Sequence, residues 1–503
     1  MPARAKTRRF LTILPAAIFL TLASILLSAC TQPAATTPVK PSPSPTAPHI
    51  FTVLTSQALT TVDPAVATGD TDVLVGTSVY QRLMRVVAST GELKPDAATD
   101  CLFSSRTVYE CTLPENLSFH NGNPLTSDDV RFSIQRALRL GAEDTGVSMF
   151  DALQQIQTPD AHTIRFQLSF PDNQFGYALS TLAASIVDED SFDPDSALPL
   201  QDPPTGGSGP LEVESVVEGE VILSRFERYV GPLPAGLPLM RVALTKDSPS
   251  AEAAMASGEA DVIWRTLDDA ALQRLATAGD TATPPARTYA RVPLPGKRVT
   301  RLAWNPASTH RTDATLRQAV AKALQQDRTL DSLVPLGVPG RQPSFPMGGQ
   351  PKLPAVKGHR VTLTLGYDPS APGHADLARL LRDRIEAIDG VSVRVQASAK
   401  TDLSLSDRLP WVNNASGWLQ PYVDHPLDNS ADFIAEEDQN VRTHTDAQRD
   451  QALTALQRRA ALDLTVLPVS QGDGILVVAQ GVTLAPDAFG SGGELGLWSI
   501  RHE

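Results

Sequence analysis

The sequence predicts an α/β fold with more than one hydrophobic core. Apolar residues return in periodic patterns at Ile50 and continue to Trp498, a span of about 450 residues, which is enough for two or three cores. The stretch from Val361 to Val395 has a strand pattern, a helix pattern and a second strand pattern. Such a crossover produces a partly parallel sheet covered by helices.

The first half of the globular part predicts strands around a capped helix. "HIFTVLT" is the first strand, and the alternation in "SRTVYECTL" and "HTIRFQLSF" predicts two more, the second with its apolar residues on one face. Between them, "NPLTSDDVRFSIQRAL" predicts a helix with Thr126 as N-cap and Asp129 at the capping-box position. The apolar stripe of this helix is Val130, Ile134, Ala137 and Leu138.

The second half continues the alternation of helices and strands. "SPSAEAAMASGEADVIW" predicts a short helix ended by Gly258 and a strand that reaches Trp264. "VTLTLGY", "ADLARLLRDRIEAIDG" and "VSVRV" are the strand, helix and strand of the crossover, with Gly390 beyond the end of the helix. A long helix from Asp446 to Asp463 precedes the last predicted strand, "LTVLPV".

The N-terminus predicts export and a lipid anchor. Residues 1–9 are basic without an acid, residues 10–29 are almost wholly apolar, and Leu27-Ser28-Ala29-Cys30 resembles a bacterial lipobox. By that resemblance residues 1–29 are a lipoprotein signal peptide, and Cys30 is acylated and becomes the mature N-terminus, tethered to the membrane. The alternative is a plain signal peptide or signal anchor with an incidental cysteine.

Residues 30–49 predict a spacer rather than a folded domain. Thr31 to His49 holds six prolines in nineteen residues and has no aromatic residue. This composition cannot bury apolar surface and favours extended polyproline conformations. We therefore expect a semi-rigid stalk between the anchor and the folded part.

Charge and cysteine content are typical of an exported protein that does not bind nucleic acid. Removal of the signal peptide would change the net charge from -13 to -17, and so acidic a surface repels phosphate backbones. Cys101 and Cys111 flank "LFSSRTVYE", and in a hairpin that turns near Arg106 they would lie opposite each other, as would Phe103 and Tyr109. Opposed positions suit a disulfide; the alternative is two free, buried thiols.

No catalytic or metal-binding motif is present. None of the nine histidines falls in an HExxH or HxH pattern, "TGGSGP" lacks a serine in the G-x-S-x-G frame, and "PGKR" lacks the first glycine of a phosphate-binding loop. Acidic pairs such as Asp128 and Asp129 are more simply helix starts. We expect neither enzyme activity nor a cofactor.

A series of short blocks, in order, resembles one family. "VDPAVATGDTDVLVGTSVYQRLM", "GELKPDAA", "LSFHNGNPLTSDDVRFSIQRAL", "GSGP", "GEADV", "NPASTHRTDATLRQAVAKAL" and "GW" are similar to blocks of the bacterial extracellular solute-binding proteins of family 5, which serve peptide and nickel ABC transporters. The resemblance extends over essentially the whole mature chain. The "FHNG" block is structural by its residues, since Asn121-Gly122 tolerates the positive φ of a turn ahead of the capped helix.

The resemblance implies a type II periplasmic-binding-protein fold, with mixed sheets flanked by helices and two hinged lobes that close on a ligand. It implies lobe I in residues 50–84, 201–290 and 479–503, an extra subdomain in 85–200, and lobe II in 291–478. It also implies a monomer on the extracytoplasmic face of the membrane, with an ABC permease and ATPase as partners.

The resemblance also points to ligand-binding residues. A stretch shortly after "DPA" offers backbone hydrogen bonds to peptide ligands in related proteins, and here it is Thr68, Gly69 and Asp70. On the opposite lobe the "GW" segment is Gly417, Trp418 and Leu419, and Trp264 is a further candidate. For each the alternative is a core or loop role.

One departure bears on the ligand. Peptide-binding relatives often have aspartate at the position of Pro421, where it pairs with the ligand's α-ammonium group, so its absence argues against that mode of recognition; Asp424 is a possible substitute. Three hypotheses follow: a receptor that delivers an oligopeptide or similar polar solute to an ABC permease, an orphan surface receptor or signalling protein without a transport role, and an anchored hydrolase.

Overall fold

The structure, a computed structural model, describes residues 50–142, 145–200, 206–268, 270–275, 289–349, 351–353, 360–445 and 447–502. Residues 50–503 form a compact unit of their own. Cys30 and the predicted stalk lie outside the described residues. Within the described ranges, no helix is both long and apolar enough to cross a membrane.

A ten-stranded mixed sheet runs through the molecule, in the order β14-β13-β15-β12-β16-β11-β1-β10-β9-β8. A separate four-stranded sheet has the order β4-β5-β7-β6, and β2-β3 and β17-β18 are two-stranded. The strands are β1 Phe51–Thr55, β2 Met84–Val87, β3 Glu92–Pro95, β4 Asp100–Ser105, β5 Val108–Thr112, β6 Leu153–Asp160, β7 Thr163–Leu168, β8 Leu211–Val217, β9 Glu220–Arg225, β10 Leu239–Leu244, β11 Val262–Trp264, β12 Tyr289–Trp304, β13 Val361–Tyr367, β14 Val391–Gln396, β15 Leu403–Asp407, β16 Val466–Ala479, β17 Val482–Leu484 and β18 Ile500–His502.

Helices cover the sheets. They are α1 Asp70–Val79, α2 Ser127–Leu140, α3 Phe175–Ala178, α4 Ser248–Ser257, α5 Ala314–Ala323, α6 His374–Ile385, α7 Ala415–Val423, α8 Ala431–Thr443 and α9 Ala447–Asp463, with 3-10 turns at Val147–Phe150, Leu182–Ala184 and Leu497–Ser499.

Two long antiparallel strands connect the two halves of the ten-stranded sheet. β12 pairs with β16 over almost its full length, and β16 also pairs with β11 of the first half. Their register shifts between Leu294 and Arg298, opposite Gly472 and Gly474. These two strands therefore belong to both halves of the sheet. The lobe bounds expected from the sequence remain a prediction.

The described residues form three hydrophobic cores, each a continuous cluster of packed side chains. The first gathers β1, β10 and β11 with α1 and the C-terminal segment, and the second lies in the half that contains α6 and α9. The third belongs to the segment from Leu83 to Ile186 and admits Val412 from the other half of the molecule. The expectation of two or three cores is confirmed.

The elements predicted from periodicity are present. In the crossover, β13 pairs in parallel with β14, and α6 between them buries Leu381 and Ile385 completely. α4 ends at Gly258, whose φ of 81° is the left-handed conformation that glycine adopts without strain. In α2 the Asp129 carboxylate accepts hydrogen bonds from the backbone N–H of Thr126 at 2.8 Å and from its hydroxyl at 2.9 Å.

The hairpin β4-β5 places Cys101 directly opposite Cys111, with Cα atoms 4.1 Å apart, and a disulfide joins them. Phe103 and Tyr109 are also opposed, and their rings make an edge contact at 4.7 Å between centroids. Tyr109 is buried, and burial raises its pKa to about 12. The hairpin therefore has its aromatic pair and its cysteine pair on one face.

The blocks that carry the family resemblance contact one another. The backbone N–H of His120 donates to the Gly207 carbonyl at 2.7 Å, and its ring lies 3.1 Å from the Gly209 carbonyl. A Cβ at Gly209 would lie 2.5 Å from the Ser78 carbonyl at the end of α1, so only glycine permits this approach. "GSGP" therefore packs against the end of α1, and "FHNG" packs against "GSGP".

Candidate functional site

The cleft is closed by direct contacts between segments far apart in the chain. The Gln57 side-chain amide donates to the Asp368 carboxylate at 2.7 Å, and the Ser148 hydroxyl donates to the Asp424 carboxylate at 3.1 Å. Each contact links the N-terminal part of the fold to the half that contains α6 and α7. The two halves are thus in direct contact at both places.

One cavity in the cleft, which we name the Thr68 cavity, has a volume of about 380 Å³. Thr68, Gly69 and Asp70 lie on one wall at the start of α1, and residues 404 and 406–411 lie on the other. The segment expected to contact ligand thus borders a partly open space between the two halves. Its backbone contacts with a ligand remain a prediction.

Buried polar contacts hold this segment in place. The carboxylate of Asp72, which is buried, accepts hydrogen bonds from the Thr60 backbone at 2.7 Å and the Thr60 hydroxyl at 2.6 Å. The Gln57 side-chain oxygen accepts from the Asp70 backbone at 2.9 Å, while Arg265 lies 3.3 Å from the Asp70 carboxylate. Because Gln57 also reaches Asp368, the position of the Thr68 wall is coupled to closure.

Neighbouring groups balance the negative charge of Asp407, the acid at the far side of the Thr68 cavity. Asp407 lies 3.2 Å from the Arg298 guanidinium and 3.2 Å from His374, and it accepts a hydrogen bond from Thr300 at 2.5 Å. Burial by itself would raise the pKa of Asp407, but these three groups together hold it below its usual range. Asp407 therefore brings no free negative charge to the cavity.

A second cavity, the Asp424 cavity, measures about 720 Å³ and lies between residues 141–170 and 411–442. Its wall carries Asp151, Asp424 and Asp438, with Arg442 as the counter-charge. Burial raises the pKa of all three carboxyls, and Arg442 lowers those of Asp151 and Asp438 in part. Behind the wall, burial raises the pKa of Asp172 to about 6, so acids outnumber bases in this region.

Trp411 divides the two cavities and was not anticipated from the sequence. It borders both, and its ring packs on Gly146, where a Cβ would come within 3.2 Å of the ring. The available signal was its place in the same segment as Gly417 and Trp418, only six residues before Gly417. An indole here forms an apolar wall for either cavity.

The "GW" segment lies in α7, behind the walls of the Thr68 and Asp424 cavities. Trp418 is 4% exposed, its indole N–H donates to Asn413 at 2.8 Å, and it borders a third space of about 220 Å³, the Trp418 cavity. Leu419 is core, and Gly417 allows close packing, since a Cβ there would lie 2.0 Å from the Val412 carbonyl.

Pro421 and Trp264 have different surroundings. Pro421 borders the Asp424 cavity, and Asp424 follows one helical turn later with its carboxylate also accepting from Gln420 at 2.8 Å. Trp264 belongs to the first core and is 4% exposed. The described residues of the three cavity walls do not include Trp264, which favours its core role.

Residues 92–373 match the family model "Bacterial extracellular solute-binding proteins, family 5 Middle". The chain belongs to this family. The match covers more than half of the sequence and contains five of the seven blocks in whole or in part, from "GELKPDAA" at its N-terminal edge to the block that contains α5.

Sequence comparison also finds a curated relative, the probable D,D-dipeptide-binding periplasmic protein of Escherichia coli K12, 29% identical over 213 residues. The alignment covers 40% of this chain and 40% of that protein, so the chain spans less than half of this relative's length in the match.

Solved structures show the fold over a larger share of the chain. A dipeptide-binding protein from Pseudoalteromonas sp. SM9913 in complex with Met-Leu superposes with a TM-score of 0.74 at 18% identity, over 90% of this chain and 100% of that one. The murein tripeptide-binding protein of Escherichia coli gives 0.73 at 16% identity, over 90% and 98%. The type II periplasmic-binding-protein fold is confirmed.

Proposed function

We propose that the protein is a lipid-anchored, extracytoplasmic solute-binding protein of an ABC importer, and that it captures an oligopeptide or similar polar solute between its lobes. The observation that carries the proposal is the Thr68 cavity, a partly open, polar space with walls from both halves of the molecule. Family membership and relatives named for dipeptides and a murein tripeptide support the solute class.

The cleft can bind and release a solute without covalent chemistry. Contacts such as Gln57 to Asp368 form only when the halves meet, so a solute that touches both walls stabilises the closed state by its differential affinity for it. Release then follows opening at the β12–β16 irregularity.

Solute binding is tested by thermal shift on the full chain purified in mild detergent. Di- to pentapeptides and peptide fragments of the cell wall are the library, and single amino acids are the control. A true ligand at a hundred times its dissociation constant stabilises the folded state by about 2.7 kcal/mol. A flat response across the library would contradict the proposal, and hits would be followed in uptake assays with the permease and ATPase.

The anchor is tested separately with Cys30→Ser. We expect this variant to lose its partition into the detergent phase, because a single thiol carries the acyl group and other contacts with the membrane are weak. The precursor form, if retained, is recognised by its mass. Unchanged partition of Cys30→Ser protein that has the mass of the processed chain would exclude the lipid tether while leaving solute binding open.

A further inference from the structure

Hydroxyl side chains from both halves of the molecule border the Thr68 cavity. Among the described residues of its walls, eight are serine or threonine. Leu403 and Leu405 of β15 belong to the second core, and because successive residues of a strand point to opposite faces, Ser404 and Ser406 point toward the cavity that they border. Neither of these two hydroxyls makes a hydrogen bond to the described residues, so both are available to a ligand.

The hydroxyls contributed by the N-terminal part of the fold are fixed as acceptors. The Thr77 hydroxyl donates to the backbone carbonyl four residues earlier at 2.8 Å, and those of Thr145, Ser180 and Thr181 each donate to the carbonyl three residues earlier at 2.7 Å. A hydroxyl has one hydrogen and two lone pairs, so each of them can still accept a hydrogen bond. A solute bound at this side of the cavity therefore has to donate, through O–H or N–H groups.

The charges around the Thr68 cavity are balanced within the protein. The charged residues described on its walls are Asp70, Asp407, Arg408 and Glu494. Arg265 lies 3.3 Å from the Asp70 carboxylate and Arg298 lies 3.2 Å from that of Asp407, while the other two also interact with groups of the protein. These six side chains are three acids and three bases. An ammonium or carboxylate group of a solute would lose its hydration here without meeting an unpaired opposite charge among them.

An aromatic ring, the indole of Trp411, gives the cavity a flat apolar surface. The ring packs on Gly146, which holds it in place. A ligand that suits the whole cavity has a C–H face to cover the indole, hydroxyls around its edge to donate to the walls, and no charge. A pyranose sugar has these three properties.

We propose that the Thr68 cavity binds a neutral sugar, which stacks on Trp411 and donates hydrogen bonds to the hydroxyls of the walls. The proposal rests on the proposed function, since it names the class of the captured polar solute. The cavity volume of about 380 Å³ is at the small end of the range of about 300–1,000 Å³ that is usual for ligand sites. The expected ligand is therefore a mono- or disaccharide.

Thermal shift on the full chain, in a detergent without a sugar headgroup, tests the proposal. The probes are glucose, galactose, mannose, xylose, N-acetylglucosamine, cellobiose, maltose and lactose at millimolar concentration, far below the range in which sugars stabilise proteins by exclusion from their surface. We expect at least one of them to raise the melting temperature saturably, by about 2–3 °C at a hundred times its dissociation constant. The uronic acid and the amino sugar that correspond to a hit should bind about tenfold or more weakly, because their charges are not compensated.

Ser406→Ala and Thr77→Val locate the bound sugar. The Ser406 hydroxyl has no partner among the described residues, so we expect Ser406→Ala to keep the melting temperature of the free protein and to lower the affinity for the sugar about threefold to tenfold in isothermal titration. Thr77→Val should lower this affinity by a similar factor. The matched control is Thr454→Val: the Thr454 hydroxyl of α9 also donates to the carbonyl four residues earlier at 2.8 Å, but Thr454 does not border the Thr68 cavity, and the affinity should be unchanged.

The proposal is overturned by a flat response to all of these sugars, by a charged analogue that binds as tightly as its neutral parent, or by unchanged affinity in both Ser406→Ala and Thr77→Val. Peptides that bind while sugars do not would reject the sugar and keep the proposed function. Sugars that bind while peptides do not would support the sugar as the polar solute and reject the peptide. The two proposals therefore fail separately.

Discussion

The buried ion pair between Asp63 and Arg136 offers a quantitative test of what holds the N-terminal part of the fold together. Two hydrogen bonds of 2.9 and 2.5 Å connect the carboxylate to the guanidinium, and the two side chains are 0% and 1% exposed. Arg136 also donates to the Asp193 and Ser196 carbonyls, each at 2.7 Å. The pair joins the "DPA" block to α2.

Asp63→Asn removes the charge that balances Arg136 and leaves a guanidinium in the core. Loss of one partner of a fully buried pair costs about 3–5 kcal/mol of unfolding free energy. The double variant Asp63→Leu with Arg136→Met removes both charges, and we expect it to lose less than Asp63→Asn does, because no unbalanced charge remains.

Urea unfolding followed by tryptophan fluorescence measures each free energy. The control is Arg225→Met, which breaks a pair with Glu227 whose side chains are 38% and 74% exposed, and for which about 0–1 kcal/mol is expected. A loss below about 1 kcal/mol for Asp63→Asn, or a double variant that loses as much as Asp63→Asn or more, would refute the reasoning.

Three further predictions concern the cleft and its surroundings. Burial raises the pKa of Asp172 to about 6, so the stabilising contribution of its protonated carboxyl is full below pH 3.8 and is lost as pH rises through 6. In urea titrations, the stability difference between the parent protein and Asp172→Asn should therefore fall by up to about 3 kcal/mol between pH 4 and 7. A constant difference would contradict this. Gly417→Ala should lose about 1–3 kcal/mol of unfolding free energy because its Cβ meets the Val412 carbonyl. The control, Gly76→Ala, places its Cβ only against the flexible Leu182 side chain and should stay within about 1 kcal/mol of the parent protein. Equal losses in the two variants would exclude the backbone clash. Trp411→Ala merges the Thr68 and Asp424 cavities and should weaken binding of any screening hit about tenfold or more by isothermal titration, since it removes an apolar wall from both, and unchanged affinity would show that the ligand does not touch the indole.

Much of the secondary structure could be predicted from local sequence patterns, because the interactions that form it are local. The N-terminus of α2 follows from Thr126 and Asp129, and the end of α4 follows from Gly258, since each depends on groups within one turn of the chain. The cysteine hairpin is equally local, because the turn sets the register that opposes Cys101 and Cys111.

The composition of the cleft could not be predicted in the same way. Tryptophan is usually buried, and the residues next to Trp264 and Trp411 in the sequence do not indicate that the first packs in a core while the second separates two cavities. The family resemblance identified the residues of the Thr68 wall but not Trp411, because the matching blocks are mostly those that stabilise the fold.

The sequence by itself determined the element order, the caps, the cysteine pairing position and the family. Only the tertiary structure decided which polar groups meet across the cleft, as Gln57 meets Asp368, and which buried atoms have no hydrogen-bond partner among the described residues, as Nε of Arg301 has none. The physical reason is that these relations join segments separated by about a hundred to three hundred residues. Their electrostatic balance exists only after burial has removed water from between them.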